Sequence, residues 1–329
     1  MTGLVGDATQ PGLGLNPRLV SWLRDYSVVL IVIAMFIVMS FTAPNFFSVR
    51  NVMNILDQNA PLMLVALGTT FVIIAGAFDL SSGQVLSLCG VFGAWFAVQL
   101  DSAVLGVLLG IAVGVPCGLL NGFLVGKIGV SSFLATLATG LVMAGVALML
   151  TQGTSLDLSS DTAFTWLGSH RFGVIPATVI VIALVFVVLS LLLTTTKIGR
   201  NVFAVGSNPE AARLSGISVT RVMIFVFIVG GVSAAIAGLI IATRTGVGNS
   251  YAPANTLTLN AIAAVVIGGT SIVGGSGAVW RTVFGVLLLA LLQNALNLLD
   301  VEPYWQQIVS GLIILFAIVT NTVTARLRA

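Results

Sequence analysis

The chain has 329 residues, of which 58% are hydrophobic and 7% charged, whereas a soluble domain is about 25% charged. Its 13 Lys and Arg and 10 Asp and Glu give a net charge of +3 and fall at the ends of apolar segments rather than in one patch, which excludes a nucleic-acid surface. A charge at the bilayer centre costs at least about 2.5 kcal/mol on insertion scales, so this spacing marks a polytopic membrane protein.

Residues 1–26 read as a cytoplasmic N-terminal segment holding Asp7, Arg18 and Arg24, with no small-residue cleavage pattern after the first apolar stretch. Residues 27–324 read as an all-α transmembrane domain and 325–329 as a cytoplasmic tail. Crossing the hydrocarbon core takes roughly 20 apolar residues as helix. About ten such spans are expected, at 27–43, 60–78, 81–99, 102–126, 130–151, 174–195, 221–242, 259–273, 278–299 and 304–324.

With the N-terminus inside, the inner ends carry Arg18, Arg24, Lys127, Lys197, Arg200, Arg213, Arg221, Arg281, Arg326 and Arg328, and the outer ends only Arg50, Arg171 and Arg244. That asymmetry satisfies the positive-inside rule and puts both termini in the cytoplasm. The same alternation places Asp57, Asp101, Asp157, Asp161, Asp300 and Glu302 outside.

After the second span, Asp79, Ser81 and Ser82 precede a new apolar run, the pattern of an N-cap at Asp79. A proton or cation relay there would need further ionisable groups within the spans, and Asp79 stands alone. The fourth span carries Gly106, Gly110, Gly114, Gly118, Gly122 and Gly126, a stripe that lets a neighbouring helix approach at backbone distance. Pro116 interrupts it, and a kink is expected. Gly122–Ile128 lacks the spacing and the Ser or Thr of a phosphate loop, so ATP is not expected to bind this chain. Cys89, Cys117 and the single His170 have neither metal-ligand nor triad spacing, and no catalytic or metal site is expected.

The inner loop 196–220 contains Asn208 as an N-cap, Pro209 at the first helical position, Glu210 facing the positive dipole end, Arg213 near the C-terminus and Gly216 as the stop. A stiff helix of about two turns on the cytoplasmic face follows, suited to a lever pressed by a partner. Further on, Asn260–Gly277 ends an apolar helix in paired glycines around Thr270 and Ser271, which reads either as a gate or as a tight cytoplasmic turn.

Together, VGSNPEAARLSGI, AIAAVVIGGTSIVGGSG, QNALNLLDVEPYWQQIVSGLIILFAIV and AFDLSSG resemble the ribose-type branch of bacterial ABC importer permeases over nearly the whole chain. The resemblance implies the ABC importer permease fold and a multi-pass position in the bacterial inner membrane. It also implies a second permease copy or homologous permease, a periplasmic solute-binding protein, and an ATPase subunit that holds ATP and Mg. Gly206, Asn208, Pro209, Glu210, Ala211, Ala212, Arg213 and Gly216 are then the ATPase-coupling element. Two departures stand near the presumed path: Thr258, Leu259 and Asn260 replace a Glu-Leu-Asp ending, and Arg281 replaces a small residue. By position, the translocation path is expected to use Asp79, Ser81, Ser82, Asn121, Ser131, Ser132, Thr136, Asn260, Thr270, Ser271 and Asn294.

The expected function is import of a pentose, tetritol or similar polyol after delivery by the binding protein, with no covalent chemistry on this chain. The alternatives are a self-contained secondary carrier or channel, which needs its own ion-coupling or filter groups, and an intramembrane enzyme, which needs a nucleophile, base or metal cluster.

Overall fold

A computed structural model describes residues 17–42, 46–250, 254–312 and 315. In chain order the helices are α1 (Pro17–Thr42), α2 (Val49–Gln58), α3 (Ala60–Ile74), α4 (Ser82–Gln99), α5 (Ala103–Phe123), α6 (Ser132–Thr151), α7 (Thr162–Ser169), α8 (Ala177–Thr195), α9 (Lys197–Ser207), α10 (Pro209–Leu214), α11 (Val219–Thr245), α12 (Ala254–Ile267) and α13 (Val279–Leu298). Residues 303–312 are also helical and begin the last expected span, most of which lies outside the described residues.

Among the described residues, five helical segments are long and apolar enough to cross a membrane, and the bent pair α2–α3 makes six. The other expected spans fall on α1, the 18-residue α4, the 14-residue α12 and the start of the last one. The difference has a physical cause. It applies to α4 and α12, which are largely enclosed by protein and so need neither full length nor a continuous apolar surface, because neighbouring chain satisfies the backbone beyond their ends.

Helix α3 is the axis of the bundle, with every residue from Ala60 to Ile74 buried, and it is sheathed by α11, α12, α13 and α8. Its apolar side chains therefore run all round the helix instead of forming a stripe. Helix α5 lies against α4 and α11 along the glycine stripe. A Cβ on Gly118 would stand 2.3 Å from the carbonyl oxygen of Phe227, so the two backbones meet where no side chain fits. The helix runs through Pro116 and a π-helical turn at Leu124–Ile128 as one 26-residue segment.

Several boundaries differ from expectation. Helix α1 begins at Pro17, inside the segment read as N-terminal. The second span, expected at 60–78, is preceded by an unexpected helix α2 that meets α3 at 56° around Asn59, and it ends at Ile74 rather than 78. The inner loop contains α9 as well as the expected short helix. The loop at 152–173 holds α7, capped by the Asp161 carboxylate accepting from Ala163 and Phe164 N–H, and two strands whose partners lie beyond it: β1 (Ser155–Asp157) pairs with β4 (Val247–Asn249) after α11, and β2 (Arg171–Phe172) with β3 (Ile175–Pro176) before α8. His170 packs there on Trp166, ring centres 4.5 Å apart.

The two ends of the bundle separate the charges. At one end Asp57, Arg171 and Arg244 converge. At the other lie α9 and α10, with Lys127 beside the start of α11, where the Thr220 hydroxyl donates to the Gly126 carbonyl.

Candidate functional site

Between Ile74 and Ser82 the chain is not helical, although Ala75, Ala77, Asp79 and Ser81 are buried. Buried backbone without helical bonds must find other partners, and hydroxyls from α6 and α12 provide them. Phe78 N–H donates to Ser132 Oγ at 3.0 Å, Leu80 N–H to Thr136 Oγ1 at 3.0 Å, and Gly83 N–H to Thr258 Oγ1 at 2.9 Å. Ser132 and Thr136, singled out as path residues, thus hold a broken backbone in place. Thr258, at the departure from the family pattern, instead accepts an N–H from the first turn of α4.

A second polar chain runs behind the break. Thr139 donates to Asn121 Oδ1 at 2.6 Å, Asn121 Nδ2 to Ser81 Oγ at 2.8 Å, and Ser81 Oγ to Asp79 Oδ1 at 2.6 Å. All four residues are buried, and the donors point one after another towards the carboxylate. Asp79 does not cap α4 as expected. The N-cap is Ser81, without a side-chain cap bond, and Asp79 accepts the Ser81 N–H at 2.8 Å in a local turn. Ser82 Oγ donates to the Asp79 carbonyl. Ser131 is exposed at the start of α6, and Asn260 is half-buried on α12.

The Gly-rich segment after α12 folds back on itself, with Ser271 N–H donating to Ser276 O and Gly274 N–H to Ser271 O, each at 3.0 Å. Thr270 is buried and its hydroxyl has no partner among the described residues, while Ser271 is half-buried. Gly274 and Gly275 have φ of 96° and 74°, the left-handed region that glycine enters freely. Gly275 N–H donates to the Ile74 carbonyl at 2.9 Å, the last carbonyl of α3. On the other side of that oxygen stands Gly206, where a Cβ would lie 1.7 Å from it. Three segments therefore meet backbone to backbone: the end of α3, the end of α9 and the loop after α12.

From this junction α10 projects. Asn208 Oδ1 accepts from Glu210 and Ala211 N–H at 3.1 and 3.0 Å, Pro209 fills the first turn, and Gly216 (φ 82°) follows the end. Ala212 packs into the core. The exposed face carries the Glu210–Arg213 ion pair at 2.7 Å and Leu214, 81% exposed.

At the opposite end, Asp57 Oδ1 accepts from Arg244 Nη2 at 2.8 Å and from the Thr178 hydroxyl, while Arg171 approaches Oδ2 at 3.3 Å. This cluster ties the α2–α3 bend to α8, α11 and β2. Beside it lies a cavity of about 200 Å³ lined by Gln58, Asn59, Gln293, Asn294 and Asn297 with Ile55 and Ala290.

Sequence reasoning named Asn294 and missed the other four amides, along with Thr139 and the buried Thr70–Thr282 hydroxyl pair at 2.7 Å. A signal was present for two of them. Gln293, Asn294 and Asn297 are amides at helical spacing in an otherwise apolar run.

Residues 51–318 match the family described as branched-chain amino acid transport system / permease component. The chain is 38% identical over 303 residues to the ribose import permease protein RbsC of Haemophilus influenzae, covering 91% of this chain and 92% of that protein. It is 41% identical over 286 residues to RbsC of Bacillus subtilis, covering 87% and 88%. To the L-arabinose transport system permease protein AraH of Escherichia coli it is 35% identical over 295 residues, covering 90% and 89%. No solved structure matches the chain. With its long apolar helices and this extent of similarity, the chain belongs to that family of multi-pass membrane transport permeases.

Proposed function

We propose that this chain is the permease subunit of an ATP-driven importer in the bacterial inner membrane, moving a monosaccharide or sugar alcohol released by a periplasmic binding protein. The relatives named for ribose and arabinose match about nine-tenths of the chain, which supports a pentose-sized solute. The single observation that carries the coupling reading is the backbone junction beneath α10. A stiff, doubly capped helix displays an ion pair and an apolar knob to water, and its base, α9, touches both irregular backbone segments through Gly206.

In this reading a separate ATPase subunit holds ATP and Mg and grips α10. Closure of two such ATPases pushes α10 and α9, and Gly206 passes the movement to the Ile74 carbonyl and to Gly275 without a compressible side chain between them. The break at 75–81 and the loop at 268–278 shift together. Since Asp79, Ser81, Asn121 and Thr136 are anchored on that break, the polar groups along the bundle reorient with it. A second permease copy or homologue provides the facing half of the path.

The test is the paired exchange Glu210→Arg with Arg213→Glu. It preserves an ion pair within α10 while reversing the charges on its face. Uptake into reconstituted vesicles is expected to fall at least about tenfold, corresponding to roughly 1.4 kcal/mol of docking free energy, while membrane insertion and hydrolysis by the isolated ATPase stay normal. Wild-type uptake by the exchanged protein would overturn the coupling assignment.

A further inference from the structure

We infer that the cavity between the α2–α3 bend and the end of α13 is a binding site for one uncharged polyhydroxylated solute, entered from the end of the bundle opposite α10. The inference rests on the importer reading and deepens it by assigning a site and a ligand chemistry.

The cavity exists because α2 and α3 meet at 56° around Asn59 instead of continuing straight. Asn59 is fixed there by its Nδ2 donating to the Ile55 carbonyl at 2.9 Å, which leaves its side-chain oxygen available. Across the gap, Gln293, Asn294 and Asn297 come from the last turns of α13, which begins beside the glycine junction and ends here. Asn294 Oδ1 is held by Asn51 Nδ2 at 3.5 Å and Asn297 Oδ1 by Gln306 Nε2 at 2.8 Å. Both contacts occupy the oxygens and leave the amide N–H groups of Asn294 and Asn297 as donors. Gln58 and Gln293 make no side-chain hydrogen bond among the described residues, so each offers both a donor and an acceptor.

Five carboxamides around one space present donors and acceptors without a charge, which matches hydroxyl groups, each of which donates and accepts. A zwitterionic amino acid would call for a cation and an anion facing it, and the five amides supply neither. The nearby charged cluster is already committed, Asp57 to Arg244 and Arg171. The volume decides the size class. About 200 Å³ is the liquid-phase space of about six or seven waters at about 30 Å³ each, enough for one four- or five-carbon polyol and too small for a disaccharide. The site stands on the same side as the residues placed outside by charge asymmetry, where a binding protein releases its cargo.

The experiment uses Asn294→Cys in the full importer, reconstituted with its ATPase and binding protein, with the native Cys89 and Cys117 buried and left in place. The rate at which a membrane-impermeant maleimide labels the new thiol is measured with D-ribose, with erythritol and with L-leucine. The expected result is slower labelling with the polyols, roughly fivefold at about four times the dissociation constant, and no slowing with leucine. A second variant, Gln293→Leu, is expected to raise the KM for polyol uptake at least about fivefold with little change in kcat, the signature of lost ground-state binding. Polyol uptake by the wild type, with no protection at Asn294→Cys and an unchanged KM for Gln293→Leu, would overturn the site while leaving the importer reading standing. Protection and uptake with leucine alone would overturn both.

Discussion

Replacing Gly206 with alanine tests the proposed mechanical link between α10 and the irregular backbone segments at 75–81 and 268–278. The added Cβ would sit 1.7 Å from the Ile74 carbonyl oxygen and 2.7 Å from the Gly275 nitrogen. Because non-bonded heavy atoms rest at about 3.5 Å, α9 must retreat from the end of α3 by well over an ångström. Forcing a methyl into a filled space costs about 1–3 kcal/mol, and loss of the Gly275 N–H to Ile74 hydrogen bond adds about 1 kcal/mol. Alanine's better helix propensity returns up to about 1 kcal/mol, so the net cost is about 1–4 kcal/mol. Part of that appears as lower thermal stability in detergent and part as slack in the junction. The assay is ATPase activity of the reconstituted complex with and without solute-loaded binding protein, alongside uptake. Basal hydrolysis is expected to persist, while stimulation and uptake fall several-fold. Gly145→Ala is the control, since nothing lies within 4 Å of a Cβ there, and it is expected to behave as wild type. Full stimulation and an unchanged melting temperature for Gly206→Ala would refute the reasoning.

Three further substitutions probe other parts of the bundle. Gly118→Ala drives a methyl to 2.3 Å from the Phe227 carbonyl and is expected to lower stability by about 1–3 kcal/mol, measured as a reduced melting temperature in detergent. Asn121→Leu removes the bonds to Ser81 and from Thr139, while Ser81 keeps Asp79 and Thr139 keeps the Thr136 carbonyl, so each loss is expected to cost about 1 kcal/mol; a smaller effect than that of Thr139→Val would contradict the bond order along this chain. At the end of the bundle opposite α10, Arg244→Ala removes both bonds to Asp57 and is expected to cost about 2 kcal/mol. Arg171→Ala, from a more exposed side chain at 3.3 Å, is expected to cost less than about 1 kcal/mol, so equal losses would contradict the assigned geometry.

Local chemistry was the most readable part of the sequence. The caps of α10 depend on Asn208, Pro209 and Gly216 within nine residues, and the glycine repeat of α5 needs only the helical period to reveal a packing face. Features that join distant segments left little trace. Thr258 bonds Gly83 across 175 positions, and no local pattern marks a threonine as partner to the first turn of a distant helix. The bend at Asn59 was hidden because both sides of it are helix formers, and the Pro61 beside it is equally at home in a first turn. Asp79 looked like a helix cap because an Asx turn and an N-cap draw on the same short polar residues. The amide cavity is assembled from two segments more than 200 positions apart, so only its α13 half was visible as a pattern.

The most direct test of the central claim is uptake of radiolabelled ribose into vesicles containing this chain, with its ATPase, its binding protein and ATP each omitted in turn. The account predicts accumulation only when all are present. Uptake by the chain alone, indifferent to ATP and to the binding protein, would contradict it and make the chain a self-contained carrier.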